Sequence, residues 1–232
     1  MAQDDKREVA KAQSSSSEID AFLQKARRPS GPVGRLIFAL DATQSRQPTW
    51  DRASNLQAEM FREAASLGGL AIQLVFYRGF AECKASAWTS DSETLMKRML
   101  GVRCEGGLTQ IGKVLANARR QAEKAPVAAL VFVGDAFEED IDKVCHRAGE
   151  LALHGTPALM FQEGRDPAAT RAFGEIARLT GGAHCKFDPS SADALKELLR
   201  AAAAYAAGGW RALADLGGEG DRLRRALPPP SR

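Results

Sequence analysis

The stretch "LIFALDATQSR", residues 36–46, decides how the chain is read. An apolar run, Leu36 to Leu40, stops abruptly at Asp41. Three oxygen-bearing side chains then stand at every second position: Asp41, Thr43 and Ser45. A near-continuous apolar run of this length predicts a strand covered on both faces. Similar runs follow at 71–77 (AIQLVFY), 84–88 (KASAW), 128–134 (AALVFVG), 157–162 (PALMFQ) and 183–187 (AHCKF). Between them, apolar residues recur with helical period over 49–66, 92–100, 109–122, 140–153, 167–179 and 191–207. The helix at 167 opens on Asp166-Pro167, a good N-cap followed by a good first residue.

The order β-α-β-β-α-α-β-α-β-α-β-α predicts a doubly wound α/β domain: a mostly parallel six-stranded sheet with helices on both faces. One link breaks the alternation. The six residues between Tyr77 and Lys84 are too few for a crossover helix. Strand 84–88 is therefore expected to return antiparallel at a sheet edge, where a short strand carrying Lys84 is well tolerated.

The chain has 232 residues, enough for one sizeable core plus two tails. Residues 1–32 are charged, Ser-rich and poor in large apolar side chains, so they are expected to form a mobile arm. Residues 33–207 form the domain, and 208–232, with "RLRR" at 222–225, are expected to form a loose tail. A net charge of +3 is too small to imply nucleic acid or membrane as a partner. The N-terminus is polar throughout, and Cys83, Cys104, Cys145 and Cys185 are widely spaced without a CxxC. Both features point to reduced thiols and a cytoplasmic protein.

In a doubly wound sheet, ligands gather at the carboxyl ends of the strands where the winding reverses. With strand 36–40 central, its neighbour across that reversal is 128–134, which also ends in an acid, Asp135. Two carboxylates brought close repel unless one is protonated or a cation lies between them. The intervening "GGLTQIGKVL", 106–115, delivers Thr109 to a helix start. Carboxylates and hydroxyls are hard donors, suited to Mg²⁺ or Mn²⁺ with waters completing the shell.

"DATQS" resembles the DxSxS metal-ion-dependent adhesion motif of von Willebrand factor type A (VWA) domains, with Thr43 in place of the first Ser. "GGLTQIGKVL" resembles the second motif of that family and "LVFVGD" its third. The resemblance covers roughly residues 33–207 and is of the intracellular, bacterial, single-domain type. It implies that Thr43 and Ser45 ligate a metal through hydroxyls, that Asp41 and Asp135 balance its charge, and that Thr109 exchanges with water. It further implies a partner protein whose Asp or Glu fills the open position. Arg46 either repels the cation or points outward and helps hold that carboxylate. Trp50 either anchors the partner or packs over the following helix.

Other chemistries fit less well. "IGKV" lacks the Ser/Thr and glycine spacing of a phosphate-binding loop, and there is no GxGxxG. No nucleophile–base pair stands out, so no enzymatic activity is expected. A metal-assisted phosphohydrolase on the same acids, or a structural VWA-like domain whose site stays empty, are the alternatives.

Overall fold

Residues Leu36 to Asp41 of β1 (Gly34–Asp41) are all buried, because the strand has a neighbour on each side and helices on both faces. The computed structural model describes residues 34–47, 70–188 and 192–229. The expected arm 1–32, helix 49–66 and Trp50 lie outside the described residues. β1 pairs in parallel with β2 (Leu70–Arg78) on one side and β4 (Ala129–Gly134) on the other. β2 pairs antiparallel with β3 (Glu82–Ala85), while β5 (Ala158–Glu163) and β6 (Ala183–Phe187) extend the sheet in parallel. The resulting order is β3-β2-β1-β4-β5-β6. The winding reverses between β1 and β4, as expected.

Alternate residues of β1 feed two apolar layers, as the two-residue repeat of a strand requires. Leu36, Phe38 and Leu40 join the layer under α1 (Ser92–Leu100) and α5 (Ala192–Asp215). Ile37 and Ala39 join the layer under α2 (Ile111–Lys124), α3 (Ile141–Ala152) and α4 (Pro167–Thr180). Asp166 caps α4 by accepting from the Ala169 N–H at 2.6 Å, with Pro167 in the first turn.

The edge strand begins and ends earlier than the expected 84–88. Arg78 and Glu82 clamp the turn between β2 and β3, in which Gly79 adopts φ +58°. At Ser86 the side chain takes over from the backbone: its Oγ accepts from Leu74 N–H at 3.0 Å. That substitution ends the regular ladder at Ala85.

The expectation of a loose tail from residue 208 is corrected for residues 208–229. Helix α5 runs on to Asp215 across a break at Gly208 and Gly209. A 3-10 turn, Gly217–Gly220, then leads into α6 (Asp221–Ala226). Leu213, Leu223 and Leu227 are buried in the α1–α5 layer, so this segment has a core of its own to join. "RLRR" lies partly on the outer face of α6, with Arg224 and Arg225 paired to Asp221. Among the described residues, no helix is long and apolar enough to cross a membrane.

All four cysteines are free. Cys185 is the buried one, and burial pushes its thiol up to about 11. Protein denatured without reductant is expected to titrate four thiols, and native protein is expected to show Cys185 reacting last, since the thiolate is the reactive form. Fewer than four thiols in freshly prepared protein would contradict this.

Candidate metal centre

Asp41 ends β1 with its side chain fully buried. Its Oδ1 accepts from the Thr43 N–H at 2.8 Å, and its Oδ2 accepts from the Tyr77 hydroxyl at 2.8 Å. Burial pushes the Asp41 carboxyl up; the Thr43 and Tyr77 hydrogen bonds pull it down, and the charge of Asp135 adds to the upward push. Tyr77 itself is pushed well above its usual range by burial and then by Asp41, so it stays a donor.

Asp135 directly follows β4. Leu40 pairs with Val133, so Asp41 stands level with Gly134. A Cβ at Gly134 would lie 2.7 Å from the Phe132 ring and 3.3 Å from the Asp41 Cβ, so glycine is what lets the strand ends approach. Asp135 Oδ1 is buried and has no hydrogen-bond partner among the described residues.

A 3-10 turn over Gln44–Arg46, closed by Arg46 N–H to Thr43 O at 3.1 Å, folds the hydroxyl pair together. Thr43 Oγ1 and Ser45 Oγ lie 3.1 Å apart. Thr43 is buried and Ser45 exposed, so the pair spans from the core to the surface.

Thr109 is not the N-cap of α2; Gln110 holds that position and makes no side-chain cap. Instead Thr109 Oγ1 accepts from the Glu138 N–H at 2.9 Å, and the Thr109 N–H donates to the Glu138 carboxylate at 3.1 Å. Glu139 then caps α2 from outside, accepting from Ile111 and Gly112 N–H groups. On the other side, Glu105 N–H donates to Ala42 O at 3.0 Å and Leu108 N–H to Gly79 O at 3.2 Å. A Cβ at Gly107 would fall 2.0 Å from Gly79 O, so only glycine passes there. The loops carrying Asp41, Thr43, Ser45, Thr109 and Asp135 are thus stitched to one edge of the sheet.

Arg46 departs from expectation. Rather than pointing outward to a partner, it is fully buried and paired with Glu163 at the end of β5, 3.0 Å away. The 3-10 turn sends the side chain inward across the end of β4. Its charge is thereby matched by Glu163, a residue that the expected strand 157–162 stopped short of.

The sequence matches no protein-family model and no curated protein. Solved structures do match. A von Willebrand factor type A protein from Catenulispora acidiphila superposes with a TM-score of 0.64 at 16% identity, over 77% of this chain and 43% of that one. The SpRpn10 VWA domain gives 0.58 at 12% identity, over 72% and 94%. The vWF domain of the pili tip protein Mfa5 from Porphyromonas gingivalis gives 0.56 at 10% identity, over 74% and 95%. The chain has the von Willebrand factor type A fold. It spans less than half the length of the Catenulispora protein.

On this VWA fold the candidate donors are two acids and three hydroxyls. Among the described residues no three His, Cys, Asp or Glu side chains form a metal cluster, so any cation here depends on Thr and Ser oxygens. Such an all-oxygen set fits Mg²⁺ or Mn²⁺ and not a thiolate- or imidazole-seeking metal. The unpartnered Asp135 oxygen fits the same reading, since buried polar atoms are seldom left without one. Two exposed apolar side chains escaped the sequence reading: Phe80, 78% exposed, and Leu108, 48% exposed. They flank the Gly79–Leu108 contact beside Thr109.

Proposed function

We propose that this VWA-fold domain is a protein-interaction module that holds a divalent cation through Asp41, Thr43, Ser45, Thr109 and Asp135 and grips a carboxylate of a partner protein there. The observation that carries the proposal is the pair of acids at adjoining strand ends, one raised by burial and further by the other's charge, and the second with a buried oxygen that has no partner among the described residues. The cation, Mg²⁺ or Mn²⁺, would supply a positive centre with an exchangeable position for an incoming carboxylate. Asp41 is held in place by Thr43 and Tyr77, and Thr109 by Glu138. Arg46 adds no competing charge at the acids, because it is matched by Glu163. Phe80 and Leu108 provide an apolar rim on which a partner can bury surface around its acid.

The rival, a metal-assisted phosphohydrolase, needs a base beside Asp41. Among the described residues, Asp41 is held by a backbone N–H and by a phenol kept protonated, and neither accepts a proton from water.

Mn²⁺ binding followed by electron paramagnetic resonance tests the metal half. Wild type is expected to bind one ion and Asp41→Ala none, with the variant still folded. Phe80→Asp tests the partner half: it is expected to keep Mn²⁺ binding and to lose chelator-sensitive capture of the partner. Equal Mn²⁺ binding by wild type and Asp41→Ala would end this reading.

A further inference from the structure

The two edges of the sheet are treated differently. The β6 edge is packed by α6, whose Leu223 is fully buried. The β3 edge carries exposed Lys84 and Ala85. In an antiparallel pair, the backbone groups of alternate residues point to the partner strand and away from it. Ser86 N–H donates to Leu74 O at 2.8 Å, and Lys84 stands opposite Phe76. By that alternation Lys84 and Glu82 direct their backbone groups to β2, while Cys83 and Ala85 direct theirs outward.

Beside this edge, between β3 and α2, lies a cavity of about 380 Å³. Its lining includes Cys83 and Ala85 on the strand, Lys113 and Arg120 on α2 and Arg147 on α3, and among the described residues it includes no acid. Among the described residues, neither Lys113 nor Arg120 has an acidic partner. Lys113 Nζ donates to two neutral acceptors, Ala81 O at 2.9 Å and Gln110 Oε1 at 2.7 Å. Glu139, beside the start of α2, is engaged by the N–H groups of Ile111 and Gly112. Lys113, Arg120 and Cys83 line the same cavity, which places both cations over the groove floor.

We propose that the groove between β3 and α2 docks an acidic polypeptide segment, which adds as a further strand to the edge of β3, uncovered among the described residues, and turns its carboxylates toward Lys113 and Arg120. Strand addition makes the recognition depend on backbone as well as charge. Alternate side chains of the added strand face α2, so acids at every second position match the cations. On the other face Glu82 and Lys84 pair at 2.6 Å, and these charges oppose indiscriminate edge pairing. The site is separate from the candidate metal centre and needs no cation.

The probe is a labelled octapeptide of alternating glutamate and valine, titrated by fluorescence anisotropy in low salt with excess chelator. Saturable binding is expected, with slowed amide hydrogen exchange at Cys83 and Ala85. Arg120→Glu, whose side chain makes no hydrogen bond or ion pair among the described residues, is expected to weaken binding at least ~10-fold with an unchanged melting temperature. Lys113→Gln combined with it is expected to abolish binding. A lysine–valine peptide, and a version with proline replacing alternate valines, are expected not to bind. Binding that requires Mg²⁺ would assign the peptide to the metal centre and overturn the proposal. Equal competition by pyrophosphate without amide protection would make the groove a small-anion site instead, and an undiminished affinity in Arg120→Glu would dismiss it altogether.

Discussion

Glu163→Ala is expected to lower the melting temperature by roughly 10 °C, at about 2–4 °C per kcal/mol for a domain of this size. The reason is Arg46. Its side chain is fully buried, the Glu163 side chain is 7% exposed, and the two stand 3.0 Å apart. Removing one member of a buried ion pair takes away the opposite charge beside the other in a medium that solvates it poorly, at a cost of about 3–5 kcal/mol. Replacing both members by apolar residues of similar size, Arg46→Met with Glu163→Leu, removes the charge together with its partner. That double variant is expected to recover most of the loss. It is also expected to bind Mn²⁺ as wild type does, because the 3-10 turn that sets Thr43 and Ser45 side by side is closed by the backbone N–H of residue 46, which methionine keeps. Thermal unfolding of the two variants decides the matter: a single variant within about 1 kcal/mol of wild type would show that solvent reaches Arg46 after all.

This ion pair also shows where sequence reading stops. The sheet was legible because its signal is local: apolar runs bounded by turns, an Asp at two strand ends, and a link between β2 and β3 too short for a helix. Helix α1 falls on the residues expected, 92–100, since its period and caps lie within one segment. Arg46 reads as a charge that either repels the cation or points outward to a partner, because its actual counter-ion, Glu163, lies on a strand formed much later. Glu138 and Glu139 fail for the same reason. Nothing local in "FEED" singles them out, because their partners are the N–H groups of Thr109, Ile111 and Gly112 on another loop. Leu213, Leu223 and Leu227 were hidden by the glycines between them, which interrupt the helical period while the chain still packs onto the sheet. The five candidate donors stood out because strand ends collect at one edge by topology alone. How rigidly they are held depends on cross-loop bonds that no local pattern records.

Asp135→Asn is expected to move stability in opposite directions with and without metal. In excess chelator, Asp41 and Asp135 stand at adjoining strand ends with no cation between them, and removing one of two like charges is worth about 1–3 kcal/mol. The variant should therefore melt higher than wild type. With Mg²⁺ about 100-fold above its Kd, wild type gains about 2.7 kcal/mol by binding to the folded state alone, whereas the variant, lacking a charged donor, gains little. The order of melting temperatures then narrows or inverts. A pH series adds an independent check. The Asp41 carboxyl is raised by burial and further by Asp135, so the folded state binds its proton more tightly than the unfolded chain does. Stability from that source is complete below the ordinary carboxylate value and is lost as pH rises through the raised one. In chelator, wild type should weaken over that window, and Asp135→Asn should weaken less, because one of the two upward pushes on Asp41 is gone. Mg²⁺ should oppose the wild-type loss by favouring the ionised pair. If Mg²⁺ stabilises Asp135→Asn as much as wild type, the cation sits elsewhere, and the paired acids at the ends of β1 and β4 are a burden on the fold with no metal to relieve it.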